Sequence, residues 1–376
     1  MKNAKSIVVF ALLLTVFQSQ GQNKYDVQEE HSVKERPFQI SLVPGFGTSK
    51  GPKEGYINQF SLNIIAGYEY SLAGAEFGGF YNVNQQNIHG AQFAGFGNAV
   101  GGDVSGAQFG GFVNTVQGKV HGLQSAGFVN VVNKEVQGTQ LSGFINLADS
   151  IKGLQAAGAI NINKRNANAV QLAGLFNYAQ DIEGTQVASL VNRAKHVKGT
   201  QIALINIADT VEKGVVVGLI NVVKTGKHQL AIEHNEVMDI NLAFRSGTSK
   251  LYSVLFAGIQ AQSNFLWSYG AGFGTEFNLK NKWNSSVELT TQSINVKEEH
   301  HEELNLLNRL SWNIDYRVAQ HLTVSAGPVF NVYVTKVYDP ATGVYGDDIG
   351  LGTFYDETSS DTNIQMWVGY NFAIKF

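Results

Sequence analysis

The chain has 376 residues, a net charge of −3, no cysteine and only 15% charged residues, with 41 glycines and 11% aromatics. Soluble domains carry about 25% charge and ~7% glycine, so this composition excludes a disordered tail and argues against a helical bundle, whose interior glycine weakens. The charge balance gives no basic field for nucleic acid, and the absence of cysteine excludes disulfides, thiolate metal sites and a lipid-modified N-terminal Cys.

In chain order, Lys2 and Lys5 precede the apolar run Ile7–Val16, and Ser19-Gln20-Gly21 places small residues at −3 and −1 of a cleavage point. This is the pattern of a secretory signal, too short to span a bilayer as a helix. Residues 1–21 are expected to be the signal peptide and 22–36 a polar linker. Residues 37–73 are expected to hold N-terminal β-strands (about 37–46 and 57–72), because Phe60, Leu62, Ile64, Tyr68, Tyr70 and Leu72 alternate with Ser61, Asn63, Gly67, Glu69 and Ser71.

Residues 74–221 hold ten copies of a repeat about 16 residues long. The Gly-x-Gln starts include Gly90, Gly106, Gly122, Gly138, Gly153, Gly184 and Gly199, and the closing Asn residues are 82, 98, 114, 130, 146, 161, 177, 192, 206 and 221. The consensus is V-x-G-x-Q-Φ-A-G-F-Φ-N-Φ-V. Its internal period of two means strand. Between the aligned first residue and Asn of each copy, Glu76 is the one charge.

Two architectures fit. In an antiparallel outer-membrane-type β-barrel, each repeat is one strand whose Gln, Asn, Ser and Gly parity lines an uncharged lumen, narrowed by Phe80, Phe96, Phe112, Phe128 and Phe144 on the same parity. The missing charges favour this reading, and ten uncharged residues suit a tilted membrane strand. The alternative is a β-solenoid attached to a smaller barrel of about ten strands; stacked coils make the copies alike.

Residues 222–376 are expected to supply C-terminal barrel strands, at about 227–236, 237–246, 249–262, 265–279, 283–297, 305–319, 321–337 and 363–376. In the last, Ile364, Met366, Val368, Tyr370, Phe372, Ile374 and Phe376 share one parity against Asn363, Gln365, Gly369, Asn371 and Lys375. Alternation of this kind is how a lipid-facing strand is written. The short 279–282 and 319–321 joints suit periplasmic turns; 297–303 and 338–362 suit outer loops.

The Q-Φ-A-G-F-Φ-N repeats, the leader and the barrel-like tail together resemble a family of surface repeat proteins of Bacteroidota and spirochaetes. The resemblance implies a surface or outer-membrane protein without a defined activity, in contact with outer-membrane lipids, whose terminal Phe376 is read by the barrel assembly machinery. A looser similarity is to the curlin repeat Q-x-G-x-x-N. Most copies here run Q-x-x-G-x-x-N, so fibre formation is not implied. The expected function is a non-enzymatic outer-membrane barrel, pore-like or structural; the alternative is a surface adhesion or binding protein displaying a solenoid, its ligand unassigned.

No residue is assigned a catalytic, cofactor-binding or metal-binding role. His234 and His321 are isolated, and Gly270, Gly272 and Gly274 form a strand face rather than a phosphate-binding turn. The run Glu298–Glu303 and the acidic residues Asp339, Asp347, Asp348, Asp356, Glu357 and Asp361 read as solvated loops, because neighbours on an extended chain point apart and no calcium-loop spacing is present.

Overall fold

The computed structural model describes residues 33–260, 265–296, 303–339, 344–346, 349 and 352–376. The expected signal peptide, most of the expected linker, most of Glu298–Glu303 and the pair Asp347, Asp348 lie outside the described residues. The chain is all-β, with no α-helix among the described residues. The repeats form a β-solenoid of about ten turns, which corrects the expectation of ten barrel strands. The chain divides into two units, 1–158 and 159–376.

In 1–158, each repeat is two strands rather than one. Val104–Gly110 and Val113–Val116 are separated by a corner at Gly111-Phe112, and the next coil repeats this with Val120–Ala126 and Val129–Val132. Successive coils pair in parallel and in register, Gln108 against Gln124 and Asn114 against Asn130. Antiparallel membrane strands pair in the opposite sense.

The interior of each coil is a stack of like residues. Gln108 Nε2 donates to Gln92 Oε1 at 2.8 Å, and Gln124 and Gln140 each continue the row at 2.9 Å. The Asn row runs the other way: Asn98 Nδ2 donates to Asn114 Oδ1 at 2.8 Å, and Asn114 to Asn130 at 3.0 Å. The second Nδ2 hydrogen of Asn98 goes to the Phe109 carbonyl at 3.0 Å. Beside the amides lie buried columns of Ile88, Val104, Val120 and Val136, and of Val100, Val116 and Val132. Burial of an amide is tolerable only when its hydrogen bonds are made.

The corner also explains the phenylalanines. Period two holds along a strand but not through a bend, so Phe80 and Phe144 point outward although they share Asn parity. They are not lumen residues. Glycine is required where coils meet: Gly106 has φ of 134°, and a Cβ there would lie 2.0 Å from the Gly90 carbonyl oxygen. At the corner, a Cβ on Gly111 would lie 1.9 Å from the Gly95 oxygen.

The strands expected upstream are solenoid coils too. Lys34–Val43 pairs in parallel with Tyr56–Asn63, which pairs in parallel with Ser71–Gly78. A short return, Phe46–Gly47, pairs antiparallel with Ser41 and Val43 and covers part of the first edge.

In 159–376 the coils continue through Ile220–Val223, with Asn177, Asn192, Asn206 and Asn221 in one row at 2.9–3.1 Å. Among the described residues, eight antiparallel strands form a ring: Lys227–Asn235, Ile240–Gly247, Tyr252–Gln260, Leu266–Lys280, Trp283–Val296, Asn305–Ala319, Leu322–Thr335 and Thr362–Lys375; a ninth, Tyr355–Ser359, pairs antiparallel with the start of the last. Each pairs with the next, and the last pairs with the first, Lys375 opposite Ala231. All eight expected C-terminal strands are present; the expected ten become a ring of eight because the two upstream strands stack in the solenoid.

Phe144 and Ala148 lie four residues apart and face one side of any straight strand. In the solenoid Phe144 is exposed and Ala148 is 2% exposed. In this cysteine-free chain, Phe144→Cys is expected to react rapidly with a water-soluble maleimide and Ala148→Cys to resist it. Comparable labelling of both contradicts the coil.

Candidate functional site

The ring has its polarity reversed relative to a water-soluble sheet. One parity of the Asn305–Ala319 strand, Asn305, Arg309, Ser311, Asn313 and Asp315, is buried inside; the other, Leu310, Trp312, Ile314 and Val318, is exposed. The same holds for Leu289, at 62% exposure, against Glu288 at 4%, and for Val368 at 62% against Trp367 at 0%. Aromatic pairs lie near both ends of the strands: Trp267 with Tyr269, ring centres 6.0 Å apart, and Trp283 with Tyr316, 4.7 Å apart.

The inside of the ring is filled by paired charges. Arg245 Nε and Nη2 meet Glu288 at 2.7 and 2.8 Å, and Nη2 also meets Glu233 at 2.5 Å. Tyr252 Oη donates to Glu288 at 2.8 Å, and Lys375 pairs with Asp315 at 2.6 Å. Lys227 pairs with Glu276. At one end the Glu236–Asp239 connection tucks in. Asn235 Oδ1 accepts from the Val237 and Met238 amides at 3.0 and 2.9 Å. Val237 and Met238 then pack, fully buried, with Leu266, Ile294, Leu307, Tyr333 and Trp367. Side chains fill an eight-stranded ring without leaving a water channel.

The Asn row ends on this ring. The Asn221 amide N donates to Ser246 Oγ at 3.1 Å, and its Nδ2 to Ser253 Oγ at 3.3 Å. Both serines flank the 248–251 turn, so the last coil is capped at the end of the ring that carries the short connections 248–251, 281–282 and 320–321. The strand ends at Gln260 and Leu266, Val296 and Asn305, and Thr335 and Thr362 lie at the opposite end.

The outward face of the coils is the second candidate surface. In 1–158 two files of phenylalanine stack at about one coil's spacing. Phe77, Phe93 and Phe109 have ring centres 5.1 Å apart, and Phe80, Phe96, Phe112, Phe128 and Phe144 are 4.8–5.2 Å apart. A groove of about 350 Å³ is lined by Phe77, Phe93, Phe109 and the glycines 78, 95, 110 and 111. In 159–376 the equivalent positions are aliphatic and exposed: Leu172, Leu175, Leu190, Ile202, Leu204 and Leu219.

Comparison with protein-family models, curated proteins and solved structures gives no match.

The structure does not unite the histidines set aside in the sequence. His234 faces outward against Tyr370, while His321 lies in the 320–321 turn at the opposite end of the ring. Among the described residues no three His, Asp or Glu residues gather as a metal-holding group. Gly270, Gly272 and Gly274 lie on the ring's inward parity, a strand face as expected. Asp361 pairs with Lys336 at 3.0 Å, and Tyr355 donates to Glu357 at 2.5 Å.

One buried group was unassigned from sequence. Glu76 replaces the ladder glutamine in its coil and is fully buried, accepting from Asn63 Nδ2 at 2.8 Å and from Asn84 Nδ2 and Gln92 Nε2 at 2.6 Å. Burial, with the Glu69 carboxylate beside it, pushes Glu76 up to about 8 from 4.5. A carboxyl group raised in the folded state stabilises the fold fully below its unfolded pKa and loses that contribution as pH rises toward the folded value. In chelator-containing buffer, wild-type stability to denaturant is expected to fall between pH 4.5 and 8. Glu76→Gln is expected to flatten this fall and to be the more stable protein at pH 8. Parallel pH profiles for the two proteins contradict the assignment.

Proposed function

We propose that the chain is a non-enzymatic outer-membrane protein in which a sealed eight-stranded barrel anchors a β-solenoid that serves as a binding scaffold. The observation that carries this is the reversed polarity of the ring, with apolar side chains outward and ion pairs inward. In water, an exposed band of Leu289, Trp312, Val368 and Phe372 is an aggregation hazard; against lipid it is the required surface. The aromatic pairs near both strand ends match interfacial girdles. A filled interior and the buried Val237-Met238 turn favour an anchor over a pore. The binding role rests on the stacked apolar files along the coils, which present repeated, nearly uncharged docking positions.

Short turns mark the periplasmic end of such barrels and long loops the outer end. The coils of 159–223 join the short-turn end, so we place them on the periplasmic side and the 336–361 connection outside. This reading departs from the alternative of a surface adhesion or binding protein that displays the solenoid outside the cell.

The protein is expected in the outer-membrane fraction, with heat-modifiable migration and no conductance in planar bilayers. Leu289→Arg, at mid-strand, is expected to reduce the assembled form, since an arginine at the bilayer midplane costs about 2–4 kcal/mol. On intact cells, an impermeant maleimide is expected to label Phe354→Cys and to reach Leu190→Cys only after the outer membrane is permeabilised. Recovery in the soluble fraction contradicts the anchor; labelling of Leu190→Cys alone on intact cells contradicts the orientation.

A further inference from the structure

The first coils of 1–158 depart from the rest in what they bury. The column of Val132, Val116 and Val100 continues downward as Asn84 and then Glu69. The column of Val104 and Ile88 continues as Leu72 and then Asn58. The glutamine column continues from Gln92 as Glu76, Ser61 and Gln39. An apolar core is thereby exchanged for a chamber of oxygen-bearing side chains, all of them buried.

Two carboxylates share this chamber. Glu69 accepts from Asn58 Nδ2 and Ser61 Oγ, and Glu76 accepts from Asn63, Asn84 and Gln92. Among the described residues neither carboxylate has a Lys, Arg or His ion-pair partner. Arg36, the nearby cation of the first strand, is held by Glu54 at 3.1 Å and lies over the Tyr56 ring at 3.8 Å. Two buried carboxylates without a counter-charge are costly.

A second observation points to what balances them. Asn58 Oδ1 and Asn84 Oδ1 have no hydrogen-bond partner, although each residue is 1% exposed. Each belongs to an amide whose nitrogen already meets one of the two carboxylates. A half-turn of each amide about its last torsion brings the orphaned oxygen to where its nitrogen now sits, beside Glu69 and beside Glu76. The result is two carboxylates, two amide oxygens and the Ser61 hydroxyl together in a buried interior.

We propose that this chamber is a structural binding site for one calcium ion, held by Glu69, Glu76, Asn58, Asn84 and Ser61. Calcium takes six to eight oxygen ligands in flexible geometry, whereas magnesium keeps several waters and demands a near-octahedral shell. A buried, all-protein oxygen set therefore suits calcium. The ion locks the first coils, on which every later coil is stacked within 1–158. Because the site is enclosed, the ion enters as these coils fold, and its binding free energy adds to folding stability.

The test uses the full chain, refolded after chelator treatment, with solenoid unfolding followed by far-ultraviolet circular dichroism at pH 7.5. Calcium chloride at 2 mM is expected to raise the midpoint of the wild type by ~3–8 °C, and isothermal titration to give one site. The Glu69→Gln/Glu76→Gln variant is expected to fold without calcium, because glutamine at 76 continues the ladder, and to show no calcium shift. An unchanged wild-type midpoint, an equal shift in the double variant, or an equal shift with magnesium overturns the proposal.

Discussion

The amide-to-amide hydrogen bond between successive coils is the interaction on which the rest of the solenoid depends. A Gln or Asn side chain buried in a protein core must find a donor and an acceptor, and leaving one group unmade costs about 1–3 kcal/mol. Here an amide inside a row finds both in its counterparts one coil away on either side, as Gln124 does between Gln108 and Gln140. A coil shifted by one residue would break both rows at once and turn its valines outward. Register is therefore fixed by polar chemistry inside the core, and shape by glycines where backbones approach most closely.

The same demand explains why the surface can be so apolar. With the hydrogen-bonding groups of the strands and core satisfied along the axis, outward positions are left free for stacked Phe, Leu and Ile files. The ring applies the same allocation: the ion pairs of Arg245, Lys375 and Lys227 lie inside, and its outer parity is apolar. Both units thus hide polarity and show hydrocarbon, which accounts for the low charge content of the whole chain. Asn221 joins the two systems within 159–376, since the Asn row finishes on Ser246 and Ser253 rather than on water.

The C-terminal strands were legible because the long ones alternate along their length: the parity of Ile364 to Phe376 read from sequence is the outward parity of the ring. The repeats were harder. Period two is a property of a straight strand, and the Gly-Phe corner breaks it, so Phe144 and Asn146 share sequence parity while one is exposed and the other buried. The identity of the copies pointed to stacking, and the missing charges pointed to membrane strands; stacking is what the structure shows. The upstream strands misled for the same reason, since Phe60 to Leu72 spans a bend between Asn63 and Ala66. The chamber around Glu69 and Glu76 was invisible because its columns are assembled from residues 14 to 22 apart, and a single Glu in a Gln position is unremarkable until the coil closes around it.

A double-mutant cycle on Gln108 and Gln124 tests the ladder most directly. Methionine matches glutamine in length without its hydrogen bonds, so each single change to Met leaves the amide on either side partly unsatisfied, while the double change removes their mutual bond with no orphan between them. The account predicts a loss of about 1–3 kcal/mol for each single variant and a double-variant loss smaller than the sum of the two. Losses below ~0.5 kcal/mol that simply add would contradict a solenoid held in register by its buried amides.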